Sequence, residues 1–124
     1  AEKTMYRLCA QDAARHVAFG VMHLRYLGAT APERREEIEV YLDEAEGQIL
    51  AGQQNPASQA SETSEALAVL LGGGQQNYDE GYKQLLAIRK RQLKEYMKRV
   101  ESAGFGERFT NGRSPLPKQY ASMV

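Results

Sequence analysis

The sequence predicts an all-α protein, and three observations carry that prediction. Apolar residues recur at three- and four-residue spacing through most of the first 104 positions, which is the repeat of one face of a helix. Gly and Pro gather at a few points between those stretches, where they punctuate the pattern and do not dilute it. No alternation of apolar and polar residues runs long enough to argue for a strand. At 124 residues the chain is sized for one domain with one core. The expected organisation is a helical domain over 1–104 followed by an irregular C-terminal tail over 105–124.

The first helix is expected over 2–27. Met5, Leu8, Cys9 and Val17 set its pattern, no residue supplies a convincing N-cap, and Gly28 is expected to stop it after roughly 40 Å. Thr30 and Glu33 have capping-box spacing and Pro32 falls in a first turn, so a second helix is expected over 32–51. Its inward face should be Ile38, Tyr41, Leu42, Ala45 and Ile49, and its outer face, dense in Glu and Arg, should be a solvated stripe. A loop over 52–56 should lead to a shorter helix over 60–71. Ala66, Leu67, Leu70 and Leu71 are that helix's apolar residues, the stretch 58–64 is polar, and the glycines at 72–74 break it. Asn77 with Glu80 marks the start of a fourth helix over 77–103, in which Tyr82, Leu85, Leu86, Leu93, Tyr96, Met97 and Val100 recur up to Gly104. The first and last long helices should pack together. In the tail, Gly, Pro, Ser and Asn interrupt every apolar pair, so order is expected only where Phe109, Leu116 or Tyr120 docks.

Sixteen Lys and Arg balance sixteen Asp and Glu, so no net field draws the chain to nucleic acid or to an anionic membrane. The basic residues at 89–99 read as the wet face of the last long helix. One cysteine, Cys9, allows no intrachain disulfide and suits a reducing compartment. No apolar run approaches the length of a membrane span and no signal-peptide pattern opens the chain, so a soluble, cytoplasmic protein is expected.

The chemistry concentrates in the first helix. Tyr6, Cys9, Ala13, His16, Gly20, His23 and Leu27 form a heptad-like seam, expected to be a buried stripe. Val17, Val21 and Leu24 flank it on one side and Phe19 and Met22 on the other, which makes the helix apolar over more than half its circumference. Asp12 lies one turn before His16. A carboxylate, an imidazole and a dry pocket are parts of a metal site, but one helix supplies too few ligands. Taken singly, each residue has a structural reading that outweighs the chemical one. A buried His is usually hydrogen-bonded core, Cys9 a small core residue, and Gly20 a place for close helix approach that costs about 1 kcal/mol of helix propensity. Tyr26, Tyr41, Tyr82 and Tyr96 read as core or interface residues.

Residues 11–20, Gln-Asp-Ala-Ala-Arg-His-Val-Ala-Phe-Gly, are similar to the Gln-Asp-Glu-Ala-Arg-His-Val-Ala-Phe-Gly segment of bacterial ferritin-like di-metal-carboxylate proteins of the di-iron oxygenase type. The match is continuous except at Ala13, where that family has the Glu of a Glu-x-x-His pair. The resemblance implies a ferritin-like helical bundle, or the C-terminal half of one, and assigns His16 as a metal ligand with Asp12 as a substitute carboxylate. It implies iron or manganese as the metal, and oxidoreductase chemistry in the family. Two earlier helices of the family supply a Glu and another Glu-x-x-His, and neither has a counterpart here.

Three functional readings follow. The first is a ferritin-like protein related to di-iron oxidases, with an incomplete or lost metal site in this chain. The second is a non-catalytic helical module that uses the same fold for association. The third is a small-ligand binder using a cleft at Cys9, His16 and His23. A wide apolar arc on a helix that lacks its own start implies a homo-oligomer or a missing N-terminal half.

Overall fold

The computed structural model describes residues 1–54 and 59–123, the side chains of 52–54 and 59–63 excepted. Among the described residues every regular element is helical and none is a strand. Helix α1 spans Glu2–Thr30. A 3-10 turn at Pro32–Arg34 leads into α2, Arg35–Gln54, and α3 follows over Gln59–Gly72. A second 3-10 turn at Gln75–Asn77 opens α4, Tyr78–Val100, which runs into a π-helical turn at Glu101–Phe105. Two short helices close the chain, α5 over Glu107–Thr110 and α6 over Leu116–Ser122.

The boundaries follow local chemistry, with three departures from expectation. Gly28 does not stop α1. It lies inside the helix, where a Cβ would sit 3.4 Å from the Phe105 ring, so its bare face admits that ring. Thr30 closes α1 and does not cap α2, because its hydroxyl donates to the Tyr26 carbonyl at 2.8 Å. The stop after α3 is as expected. Gly73 and Gly74 take φ of +80° and +150°, and their amides donate back to Leu70 and Val69, the paired bonds of a Schellman cap. Helix α2 continues to Gln54, and the remainder of the loop expected over 52–56, with Ser58 of the polar stretch, lies outside the described residues.

Helices α3 and α4 form a hairpin whose backbones touch. A Cβ at Gly81 would fall 1.7 Å from the Ala68 carbonyl oxygen, so only glycine fits the crossing. Ala68, Leu85 and Leu93 are buried along the hairpin, while Leu67 and Leu70, two of the apolar residues that marked this helix in the sequence, face outward. The Arg89 guanidinium donates to the Ser64 hydroxyl across the pair.

A second core gathers Ile38, Val100, Ala103 and Phe105, with Val21, Leu24, Leu27, Leu42, Tyr96 and Phe109 against it. Helix α1 therefore joins the body only through its last third, and it meets chiefly the π-helical turn beyond α4, not the length of α4. That turn leaves main-chain carbonyls without helical donors. Arg25 of α1 donates to the Ser102 carbonyl at 2.6 and 2.9 Å and to its hydroxyl at 2.8 Å. Arg35 of α2 donates to the Gly104 carbonyl at 2.7 Å and lies over the Phe105 ring at 4.5 Å. Gly104 makes the bend possible with φ of +93°.

The region expected to be an irregular tail holds α5 and α6 and is docked. Leu116 is fully buried, Phe109 packs on the second core, and Tyr120 receives the Lys90 ammonium 5.2 Å from its ring centre. All three residues expected to give order there do dock, and Arg108, Arg113 and Ser114, which were not expected to, dock with them.

Candidate functional site

Helix α1 positions the residues singled out by sequence, and it does so in the open. None of its residues is buried, so the expected buried seam is an exposed one within this chain. The physical reason is that, among the described residues, only Val21, Leu24 and Leu27 of α1 join the apolar core, while residues 1–20 project about 30 Å with no described helix packed over them. Tyr6 is 67% exposed and Phe19 72%. A Cβ on Gly20 would meet nothing within 4 Å, so the close approach expected there does not occur within the chain.

His16 and Asp12 stand one turn apart on this arm, both exposed. Asp12 accepts from Arg15 at 3.4 Å, an exposed pair that contributes little. His23 stacks on Phe19, ring centres 6.3 Å apart and nearly parallel. Cys9 is exposed and not core. Two donors on one helix do not fit a di-metal centre, which takes about six ligands from four helices. Among the described residues no group of three or more His, Cys, Asp or Glu is placed to hold a metal. On the neighbouring stripe of α1, Ala14, Val17, Ala18 and Val21 floor an open groove of about 440 Å³, rimmed by Arg25 and Arg99.

The most organised polar site lies elsewhere. Glu36, Glu39, Asp43 and Glu46 of α2 have 3-4-3 spacing and so share one stripe. That stripe was expected to be solvated, but the segment from α5 to α6 lies across it. Arg108, 1% exposed, donates to Glu39 and Glu46 and, at 2.7 Å, to Asp43. Arg113 holds Glu36 through two bonds of 2.9 and 3.1 Å and Asp43 at 2.8 Å. The Ser114 hydroxyl donates to Glu46 at 2.6 Å and accepts from the Leu116 amide at 3.2 Å. Burying these charges rotates α2 from its expected orientation. Ile38 and Leu42 still face the core, while Tyr41 and Ala45 are exposed.

The electrostatics follow from the contacts. Hydrogen bonds from Arg113 hold the Asp43 and Glu36 carboxyls below their ordinary values. Burial works against the Arg108 charge, yet its bonds to Glu46 and Asp43 keep its pKa above the usual arginine value. Tyr96 of α4 faces the same cluster. Burial first, and the Glu46 charge second, push its phenol up to about 12. Its hydroxyl is buried without a hydrogen-bond partner among the described residues, which costs about 1–3 kcal/mol.

Sequence reading missed this site, although the spacing of the four carboxylates carried a signal. An acidic stripe with the heptad-like register of a core seam, together with two arginines five residues apart in a Gly- and Pro-rich segment, is a pattern for ion pairing over a distance. No helix of the described residues is long and apolar enough to cross a membrane. Compared with protein-family models, with curated proteins and with solved structures, the chain gives no match.

Proposed function

We propose that this chain is a ferritin-like helical module that acts by association, with α1 as the wall it offers to partner helices and with the metal site of the proteins it resembles incomplete within it. The observation that carries the reading is the arm of α1. Twenty consecutive residues carry Met5, Tyr6, Leu8, Val17 and Phe19 outward and bury none of them. Five large apolar side chains exposed on one helical arm that no described element covers mark an interaction face. The ten-residue resemblance at 11–20 falls on the same arm and supports a bundle as what covers it.

A second reading, a di-metal oxidoreductase site shared with a partner, is supported by the spacing of Asp12 and His16 on that face. It needs the remaining donors from the covering helices, whether a second copy or a separate N-terminal half, and iron or manganese as the metal.

Sedimentation equilibrium tests the association reading. The chain is expected to self-associate or to bind a helical partner, and Val17→Glu with Phe19→Glu to abolish this without loss of helical circular dichroism. A monomer whose arm resists modification at Cys9 and shows no affinity for partner helices would overturn it. Manganese or iron titration of the associated form separates the two readings, since only the shared site gives stoichiometric uptake that His16→Ala removes.

A further inference from the structure

The segment from α5 to α6 is joined to the rest of the chain by side chains alone. Its main-chain hydrogen bonds outside helices run from Phe109 to Gly106, Asn111 to Glu107, Ser114 to Arg108, Gln119 to Pro115 and Met123 to Tyr120, so among the described residues each stays inside 106–123. The turn before it bends at Gly104, with φ of +93°, and Gly106 follows two residues later. Undocking would leave its internal bonds intact; it would break Arg108, Arg113 and Ser114 from the α2 stripe, expose Leu116, and release Phe109 from the second core and Tyr120 from Lys90.

We propose that residues 107–123 form a clasp that opens as one unit while the helical body stays folded, and that the carboxylate stripe of α2 is its lock. Three observations support separate opening. Local units with self-contained backbone bonding open at lower free energy than the core they rest on. The body keeps its own apolar centre without the clasp, since Ile38, Val100, Ala103 and Phe105 all lie outside 107–123. The main fastening is a buried ion cluster, in which desolvation offsets much of the attraction, so the cluster fixes the docked register more than it deepens the well.

The lock is also unbalanced. Glu36, Glu39, Asp43 and Glu46 of α2 face Arg108 and Arg113 of the clasp, with only the Tyr96 phenol contributed by α4. Arg113 donates hydrogen bonds to Glu36 and Asp43, with Glu39 more distant at 3.9 Å, so neutralising the first two removes both of its charged hydrogen-bond partners and takes one of the three carboxylates that hold Arg108. Opening uncovers the α2 stripe. This inference rests on the clasp contacts and is independent of what covers α1.

Hydrogen exchange read by mass spectrometry on the full chain at pH 7 tests it, with Glu36→Gln and Asp43→Asn combined as a neutral lock. Exchange in 107–123 should accelerate about tenfold or more, as expected when charged hydrogen bonds are lost, while 78–100 keeps its protection. Trypsin should cut the variant after Arg108 and Arg113 before any other site. Leu116→Ala should give the same regional pattern through the apolar contact. Unchanged protection of 107–123 in the neutral-lock variant would overturn the proposed lock. Loss of protection in 107–123 and 78–100 together, in either variant, would overturn the clasp as a separate unit.

Discussion

The arm of α1 and the clasp on α2 invert each other. On the arm, apolar side chains such as Phe19 and Tyr6 stand in solvent, whereas under the clasp Arg108, Glu39 and Glu46 are buried. Both regions present the same kind of pattern, a stripe at three- and four-residue spacing along one helix. The difference is whether the chain supplies something to cover the stripe. The clasp supplies two guanidinium groups for the four α2 carboxylates, and no described element lies over the first twenty residues of α1. Periodicity therefore identifies a face, and the inventory of the rest of the chain decides whether that face is closed.

The largest effect should come from the clasp side of this contrast. Arg108→Ala leaves Glu46 buried with no partner charge and Glu39 with Arg113 alone at 3.9 Å, a loss of about 3–5 kcal/mol in docking the segment. The total loss is capped by the free energy of opening the clasp, since the variant relieves the buried charge by undocking. Chemical denaturation should show a body that still unfolds cooperatively but a clasp already open in native buffer. A variant as stable as the parent, with Glu39 and Glu46 still covered, would show that the ionic cluster does not organise the docking.

How far the sequence disclosed these regions follows from the range of the forces involved. Local chemistry made the helices legible. Gly73 and Gly74 end α3 because their positive φ angles suit only glycine, and Asn77 stands at the N-terminus of α4 as its position suggested. Thr30 misled because a hydroxyl can bond backward to Tyr26 as readily as it caps forward, and Gly28 because close approach of Phe105 and helix termination call for the same residue. The clasp was illegible for a different reason. Arg108 lies 62 residues from Glu46, and nothing within a helical window ties them. A charged face reads as solvated until its counter-charges are located. On α1 the positions of His16 and Asp12 were legible, but their burial was not, because burial belongs to a neighbour.

Titration should separate the regions next. Asp43 and Glu36 have pKa values below their ordinary 3.8 and 4.5 in the folded state, so their stabilisation is present above those values and is lost as the pH falls through the depressed ones. Tyr96 works at the other end. Its folded pKa is about 12 against an ordinary 10.0, so its contribution is complete below 10 and lost as the pH rises toward 12. Thermal midpoints across pH 2–12 should fall at both ends in the parent. Glu36→Gln with Asp43→Asn should flatten the acid limb, and an unchanged acid limb would place the titrating groups outside the clasp.

On the arm the expected effects within a single chain are small. Phe19→Ala removes an exposed ring whose described ring contact is His23, so it should change monomer stability by no more than about 0.5 kcal/mol. Measured as a function of protein concentration, the same substitution should cost more as the chain associates, because a covered ring contributes about 1.5–3 kcal/mol of burial. Equal costs at all concentrations would remove Phe19 from any interface.

The smallest effect, and the one that sharpens the contrast most, is expected of Ala13→Glu. Because Ala13 is exposed, a carboxylate there stays hydrated and exchanges one good helix former for another, so the melting temperature of the monomer should hold within about 0.5 kcal/mol of stability. The substitution rebuilds the carboxylate that precedes His16 by three residues in the segment this chain resembles, and with Asp12 it places three donors within little more than one turn. Divalent iron or manganese should then bind more tightly than to the parent, and His16→Ala in the same background should cancel the gain. A destabilisation well beyond 0.5 kcal/mol without metal gain would mean that position 13 is covered in solution and the new charge is buried and unpaired, which reports association along this stripe. Two tightly bound metals per unsubstituted chain would instead show that partner helices complete the site despite the alanine, and would overturn the proposal of an incomplete centre.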